Sequence, residues 1–140
     1  MKALFIAYGK PVPKGRPRVT RHGTYTPKST QAYESSVRQA WREAGAARFP
    51  DGAPLELSVI AAFPIPQHTA KSRRARMEGR PHTAARGDLD NIVKAVMDAL
   101  NGCAYADDSA VWSIHAQKIY SETPRTVVLL CDAEDEPCPF

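Results

Sequence analysis

Gly87-Asp-Leu-Asp-Asn-Ile-Val-Lys-Ala-Val-Met-Asp-Ala-Leu-Asn-Gly102 is the stretch on which the reading of this chain turns. Ile92, Val93, Val96, Met97 and Leu100 recur at spacings of three and four, which predicts a helix over 91–101 with one apolar face. Asp90 stands where an N-cap belongs, and Gly102 where a helix stops. Asp88 and Asp90 are two apart, so in chain entering a helix their carboxylates point to one side and Leu89 to the other. Two carboxylates this close repel unless a proton or cation lies between them. Mg²⁺ suits that position, because it prefers oxygen ligands and keeps several waters.

Asn91, Lys94, Asp98 and Asn101 share the face opposite the apolar stripe. Lys94, one turn past Asp90, could touch a phosphate or stabilise charge as a P–O bond breaks. Equally, Asp90–Lys94 and Lys94–Asp98 read as surface ion pairs worth a few tenths of a kcal/mol. Asp107-Asp108 offers a third carboxylate. An eleven-residue helix is roughly 16 Å long, and six extended residues span about 20 Å. A loop over 103–108 could therefore return to the Asp90 end of the helix. Asp107 and Asp108 alternate in extended chain, so one of the two would face a metal; an Asp-Asp turn before a strand is the plainer reading. Carboxylates around Mg²⁺ suit metal-assisted hydrolysis, in which the ion lowers the pKa of a bound water and neutralises a leaving oxygen.

Outward from this stretch, residues 2–8 read as a strand, 31–47 as a helix capped by Ser29 or Thr30, and 55–63 as a strand. Residues 111–120 and 126–131 read as two more strands, joined by a turn near Glu122-Thr123-Pro124. The order β, α, β, α, β, β predicts a small single-domain α+β fold, a mixed sheet with two helices on one face. Trp41 reads as core, with an interface as the alternative. The 140 residues suit one modest core, and no apolar run is long enough for a bilayer. Three cysteines and four histidines show no metal-ligand spacing, and the cysteines read as reduced thiols in a cytosolic protein.

Charge is unevenly spread. Net charge is +4, but Asp132, Glu134, Asp135 and Glu136 leave residues 1–130 with 19 bases and 11 acids. Two basic segments stand out: 9–27, with Lys14, Arg16 and Arg18, and the irregular 64–86, with Lys71, Arg73, Arg74, Arg76, Arg80 and Arg86. Such a body favours a polyanionic partner. Residues 64–86 read either as a short solvated helix with loose flanks or as a basic arm that orders on DNA phosphates.

The stretch 87–102, together with Tyr105-Ala-Asp-Asp-Ser-Ala-Val111, resembles the core of the RusA-type Holliday-junction resolvases. These are small homodimeric, Mg²⁺-dependent endonucleases that resolve four-way DNA junctions by paired nicks. Lys14-Gly15-Arg16-Pro17-Arg18 is similar to the N-terminal segment of phage-type members. The resemblance implies that Asp88, Asp90 and Asp108 bind the metal and are catalytic, that Lys94 is catalytic, and that Asp108 rather than Asp107 is the third ligand. Asp98 also fits the pattern, in a supporting role. One or two Mg²⁺ ions could bind, with Mn²⁺ able to substitute. The implied protein is a cytoplasmic homodimer of bacterial or phage origin. Its endonuclease domain would span 1–131, before an acidic tail over 132–140. Two other readings compete: a basic DNA-binding protein without catalysis, whose aspartates are caps and turns, and a related nuclease that prefers flaps or forks.

Overall fold

The computed structural model describes residues 1–84 and 87–132; Arg86 and nearly all of the acidic tail lie outside the described residues. Four strands form the main sheet: β1 (Lys2–Tyr8), β4 (Leu55–Pro64), β5 (Val111–Ser121) and β6 (Arg125–Asp132). Their spatial order is β1-β6-β4-β5. β6 runs antiparallel to both β1 and β4, whereas β4 and β5 are parallel. The sheet is therefore mixed. A separate hairpin, β2 (Arg18–Thr20) with β3 (Gly23–Tyr25), lies in the Gly/Pro-rich segment where the sequence pattern signals no strand.

Two long helices, α1 (Lys28–Glu43) and α3 (Leu89–Leu100), pack against each other and cover one face of the sheet. α1 buries Thr30, Tyr33 and Val37, one residue per turn. α3 buries Ile92, Val93, Ala95, Val96, Ala99 and Leu100, a broader stripe that suits its place over β4 and β5. Tyr33, Val37, Val93, Ala95, Val96, Ala99 and Leu100 meet Phe5 of β1, Leu57 and Val59 of β4, and Val128 and Leu130 of β6 in one core, while Ile92 packs with Ala61 and Phe63 of β4 in a second, smaller cluster. The opposite face leaves Leu4, Ile6 and Tyr8 of β1 exposed.

Both helices begin earlier than periodicity predicts. α3 starts at Leu89 with Asp88 at its N-cap, so Asp90 lies inside the first turn. α1 starts after Pro27, and Thr30 is buried, its hydroxyl accepting a hydrogen bond from the Gly15 backbone N–H at 3.0 Å. A third, short helix, α2 (Lys71–Met77), occupies the basic segment. The chain after it adds a rung to β5: Pro81 pairs with Ile119, and His82 N–H donates to the Lys118 carbonyl at 2.9 Å. The basic segment is thus folded onto the sheet edge, held by Arg74 on Glu122 and by Glu78 on the Ser121 hydroxyl.

Candidate nuclease site

β4, α3 and β5 form a parallel crossover unit, and that topology sets the site. A helix joining two parallel strands must run back against both. The chain entering α3 therefore sits at the Phe63 end of β4, and the chain leaving α3 sits at the Leu55 end, where Val111 pairs. Asp88 and Asp90 belong to the first end, and Asp107 and Asp108 to the second. A helix of this length spans about 18 Å. The loop after α3 does not carry the chain back to Asp90. It turns at Gly102, and a 3₁₀ turn (Asp108–Ala110) leads directly into β5.

At the first end, Gly87 positions the carboxylates. Its φ is +81°, and a Cβ there would lie 2.7 Å from Cζ of the buried Phe63 ring. Only glycine fits both constraints. Lys118 of β5 holds the same segment from the other side, its Nζ donating to the Ala84 and Gly87 carbonyls at 3.3 and 3.2 Å. Asp88 and Asp90 are exposed; the Asp88 carboxylate makes no capping hydrogen bond, and Asp90 Oδ1 accepts the Asn91 N–H at 2.9 Å. Lys94 is exposed on the next turn, its Nζ 3.6 Å from Asp98. The Asp90–Lys94 ion pair does not form among the described residues.

The second end is more tightly tied. Lys14 Nζ lies 2.6 Å from Glu34 and 3.1 Å from Asp98, with little side-chain exposure. Burial alone would lower the Lys14 pKa, but hydrogen bonds to Glu34 and Asp98, reinforced by their charge, raise it on balance. Its backbone N–H also donates to the Asn91 carbonyl. An ammonium held this way straps the chain around Lys14 across α1 and α3. Tyr105 is buried and donates to the Met97 carbonyl at 2.8 Å. Burial, then the charges of Asp108, Asp98 and Asp107, push its pKa up. Hydrogen bonding from Ser109, its side chain first and then its backbone N–H, holds the Asp107 carboxyl below the usual range. Arg38 Nε donates to the Ala99 carbonyl and caps the negative end of α3.

Among the described residues, no three His, Cys, Asp or Glu side chains gather closely enough to hold a metal ion. Asp88 and Asp90 by themselves still fit Mg²⁺, which characteristically takes one or two carboxylates and completes its shell with water and phosphate oxygens. Of the bases expected to meet DNA, Arg16, Lys71, Arg73, Arg76 and Arg80 are exposed, and Arg18 begins β2. Arg74 is half-buried on Glu122.

The sequence profile of the family described as "Endodeoxyribonuclease RusA" matches residues 8–130, which spans α1 to α3, strands β2 to β5 and most of β6. The chain belongs to the RusA family. It is also 33% identical over 135 residues to the uncharacterized protein YqaN of Bacillus subtilis strain 168, a match covering 90% of this chain and 93% of that protein. Membership makes this RusA-family chain a nuclease acting on DNA. No described helix is long and apolar enough to cross a membrane. Two residues that hold the backbone under the candidate carboxylates, Gly87 and Lys118, differ in how far the sequence signals them. Gly87 was signalled by a glycine immediately before the carboxylate pair. Lys118 had no signal, because it reaches the site only through the pairing of β5 beside β4.

Proposed function

We propose that this chain is a Mg²⁺-dependent endonuclease that resolves four-way DNA junctions as a homodimer, by paired symmetric nicks. Asp88 and Asp90 would hold the ion, together with Asp108 supplied by the second copy. The observation that carries this reading is the separation of Asp88 and Asp90 from Asp108 along α3 in a family whose members cut DNA. A two-fold partner can bring the Asp108 end of one copy to the Asp90 end of the other, and gives two equivalent sites for two opposed strands. The surface beside Asp108 suits such a contact. Trp112 and Ile114 are exposed there on the edge strand, and the rung that covers β5 higher up reaches only residues 118–120.

Bound Mg²⁺ would supply an activated water and neutralise the leaving oxygen. The protein side of the chemistry is positioning. Gly87 and Lys118 hold the backbone from which Asp88 and Asp90 project, and the exposed Lys94 ammonium would leave its surface pair with Asp98 to meet the phosphate one turn along α3. Arg16, Arg18, Lys71, Arg73, Arg76 and Arg80, with Arg86 outside the described residues, would contact phosphates and set register without reading sequence. Lys14 and Arg74 would act through the folded shape of that surface. Mn²⁺ would substitute, being a hard oxygen-seeking ion as well.

The test is a labelled four-way junction incubated with Mg²⁺ or with EDTA and read on a denaturing gel, beside a flap and a fork. The wild type should give matched nicks that need Mg²⁺. Asp90→Asn should lose at least about 100-fold in cutting, as expected for losing a ligand of a catalytic ion, while still retarding the junction. Cutting by Asp90→Asn at the normal rate would sink the reading. A junction shifted but intact in all lanes would make this a binding protein, and faster cutting of flaps would reassign the substrate.

A further inference from the structure

A cavity of about 550 Å³ opens beside Gly87, lined by Lys10, Pro13, Phe63, His82 and Tyr120. We propose that it receives one unstacked nucleobase of the DNA, next to the scissile phosphate, and so sets which sequence is cut. The inference rests on the nuclease reading above and adds to it a site for the base.

Three features lead there. The first is location: Gly87 lines the cavity and immediately precedes Asp88, so the cavity opens beside the turn that carries the carboxylate pair. The second is the lining. His82 lies between Phe63 and Tyr120, its ring tilted 39° and 36° to theirs with centroids 4.7 and 4.5 Å away, and prolines complete the wall. The surrounding surface is basic and suits phosphates, but an apolar, ring-lined recess repels them. Of the three parts of a nucleotide, only the base has the flat π-face that such a wall favours. The third is an unmet polar group. His82 Nδ1 is buried and has no hydrogen-bond partner among the described residues, while the exposed Lys10 ammonium stands at the rim. Buried polar atoms are normally paired. A base brings ring nitrogens and exocyclic groups able to pair with both.

Base-paired DNA keeps its bases stacked and out of reach. A branch point or frayed end offers a base that unstacks at little cost, and rings on the protein replace the stacking it gives up. Phosphate contacts alone carry no sequence information; a base held at the cutting point does. The cavity is roomy enough for either ring size, so any preference would come from hydrogen bonding at Lys10 and His82.

The experiment uses the full chain and a junction that the wild type cuts with Mg²⁺. Abasic sites are placed one at a time along the strand around the cut, and binding is measured in Ca²⁺ to prevent cleavage. One abasic position adjacent to the cut should weaken wild-type binding about 10-fold, the loss of one stacked base, and other positions should do little. Tyr120→Ala should bind the intact junction about 10-fold more weakly and should not respond to that abasic site. Tyr120→Phe should behave as wild type. Across a randomised cut site, Lys10→Gln should flatten the base preference without abolishing cutting. If the wild type cuts but the abasic scan is flat, the cavity holds no base and the nuclease reading survives. If the wild type neither cuts nor binds DNA, both fall together. The scan on the wild type needs no variant, so poor folding of Tyr120→Ala would not rescue the idea.

Discussion

The two ends of α3 are built on opposite plans. At its N-terminus, Asp88, Asp90 and Lys94 are exposed, and the rigidity lies in the backbone beneath them, where Gly87 is wedged against Phe63 and clamped by Lys118. At its C-terminal half the carboxylates and bases are engaged with one another. Asp98 is shared by Lys14 and Lys94, Tyr105 is buried on the Met97 carbonyl, and Arg38 caps the last turn. The carboxylates of Asp88 and Asp90 stand open to a ligand at one end, the carboxylate of Asp98 is engaged in the fold toward the other, and Lys94 links the two through its exposed pair with Asp98. Asp108 is the exception at the engaged end. It is only half-buried and is drawn into no ion pair among the described residues.

The largest expected effect arises from that exception. Asp90→Asn and Asp108→Asn should each lose at least about 100-fold in cutting as homodimers, as for a lost metal ligand. Mixed dimers made by co-expressing the two should recover cutting, because one of their two sites then contains both native carboxylates. The products would be single nicks rather than paired ones, separable on native and denaturing gels. If the mixture were as inactive as its parents, both aspartates would have to act in one chain.

This division between the ends was only half legible in the sequence. The α3 stripe, the carboxylate pair and the four sheet strands could be read because each depends on neighbours within about ten residues. Strand pairing could not. That β5 lies parallel to β4 depends on contacts some 55 positions apart, such as Leu57 with Ile114, and no local pattern encodes them. That one fact separates Asp108 from Asp90 and brings Lys118 to Gly87. The predicted return of the 103–108 loop was sterically allowed by length, but the crossover rules it out. The role of Lys14 was hidden in the same way. Its position in a basic, Gly/Pro-rich segment suggested phosphate, whereas Glu34 and Asp98, from two different helices, hold it in the fold.

A middle-sized effect tests the rigidity of the N-terminal end. Gly87→Ala must adopt a left-handed backbone and push into the Phe63 ring, whereas Gly52→Ala, at φ +84°, meets nothing within 4 Å. The backbone term alone is about 1–2 kcal/mol, or roughly 3–8 °C in Tm for a domain of this size. Gly52→Ala should show that loss and cut DNA normally. Gly87→Ala should lose more Tm and also cut more slowly, since Asp88 moves with it. Equal melting and equal cutting in the two variants would remove Gly87 from the site.

The smallest effect separates the two ends by pH. His82 lines the cavity at the N-terminal end, where burial and then the charges of Lys118 and Lys10 lower its pKa below 6.5. The folded protein therefore takes up that proton less readily than the unfolded chain. The stability linked to His82 is present above 6.5 and is lost as pH falls toward the lower folded value. Lys14 shifts the other way. Its pKa is raised above 10.5, so its contribution is complete below 10.5 and is lost as pH rises through the folded value. Melting curves across pH should therefore show His82→Phe flattening the acid limb alone and Lys14→Met flattening the alkaline limb alone. Lys14→Met should also lower Tm at neutral pH, because it leaves Glu34 and Asp98 without their shared cation. A Lys14→Met protein that melts like wild type at every pH would mean that the strap over α1 and α3 is held by its backbone bond to Asn91 alone.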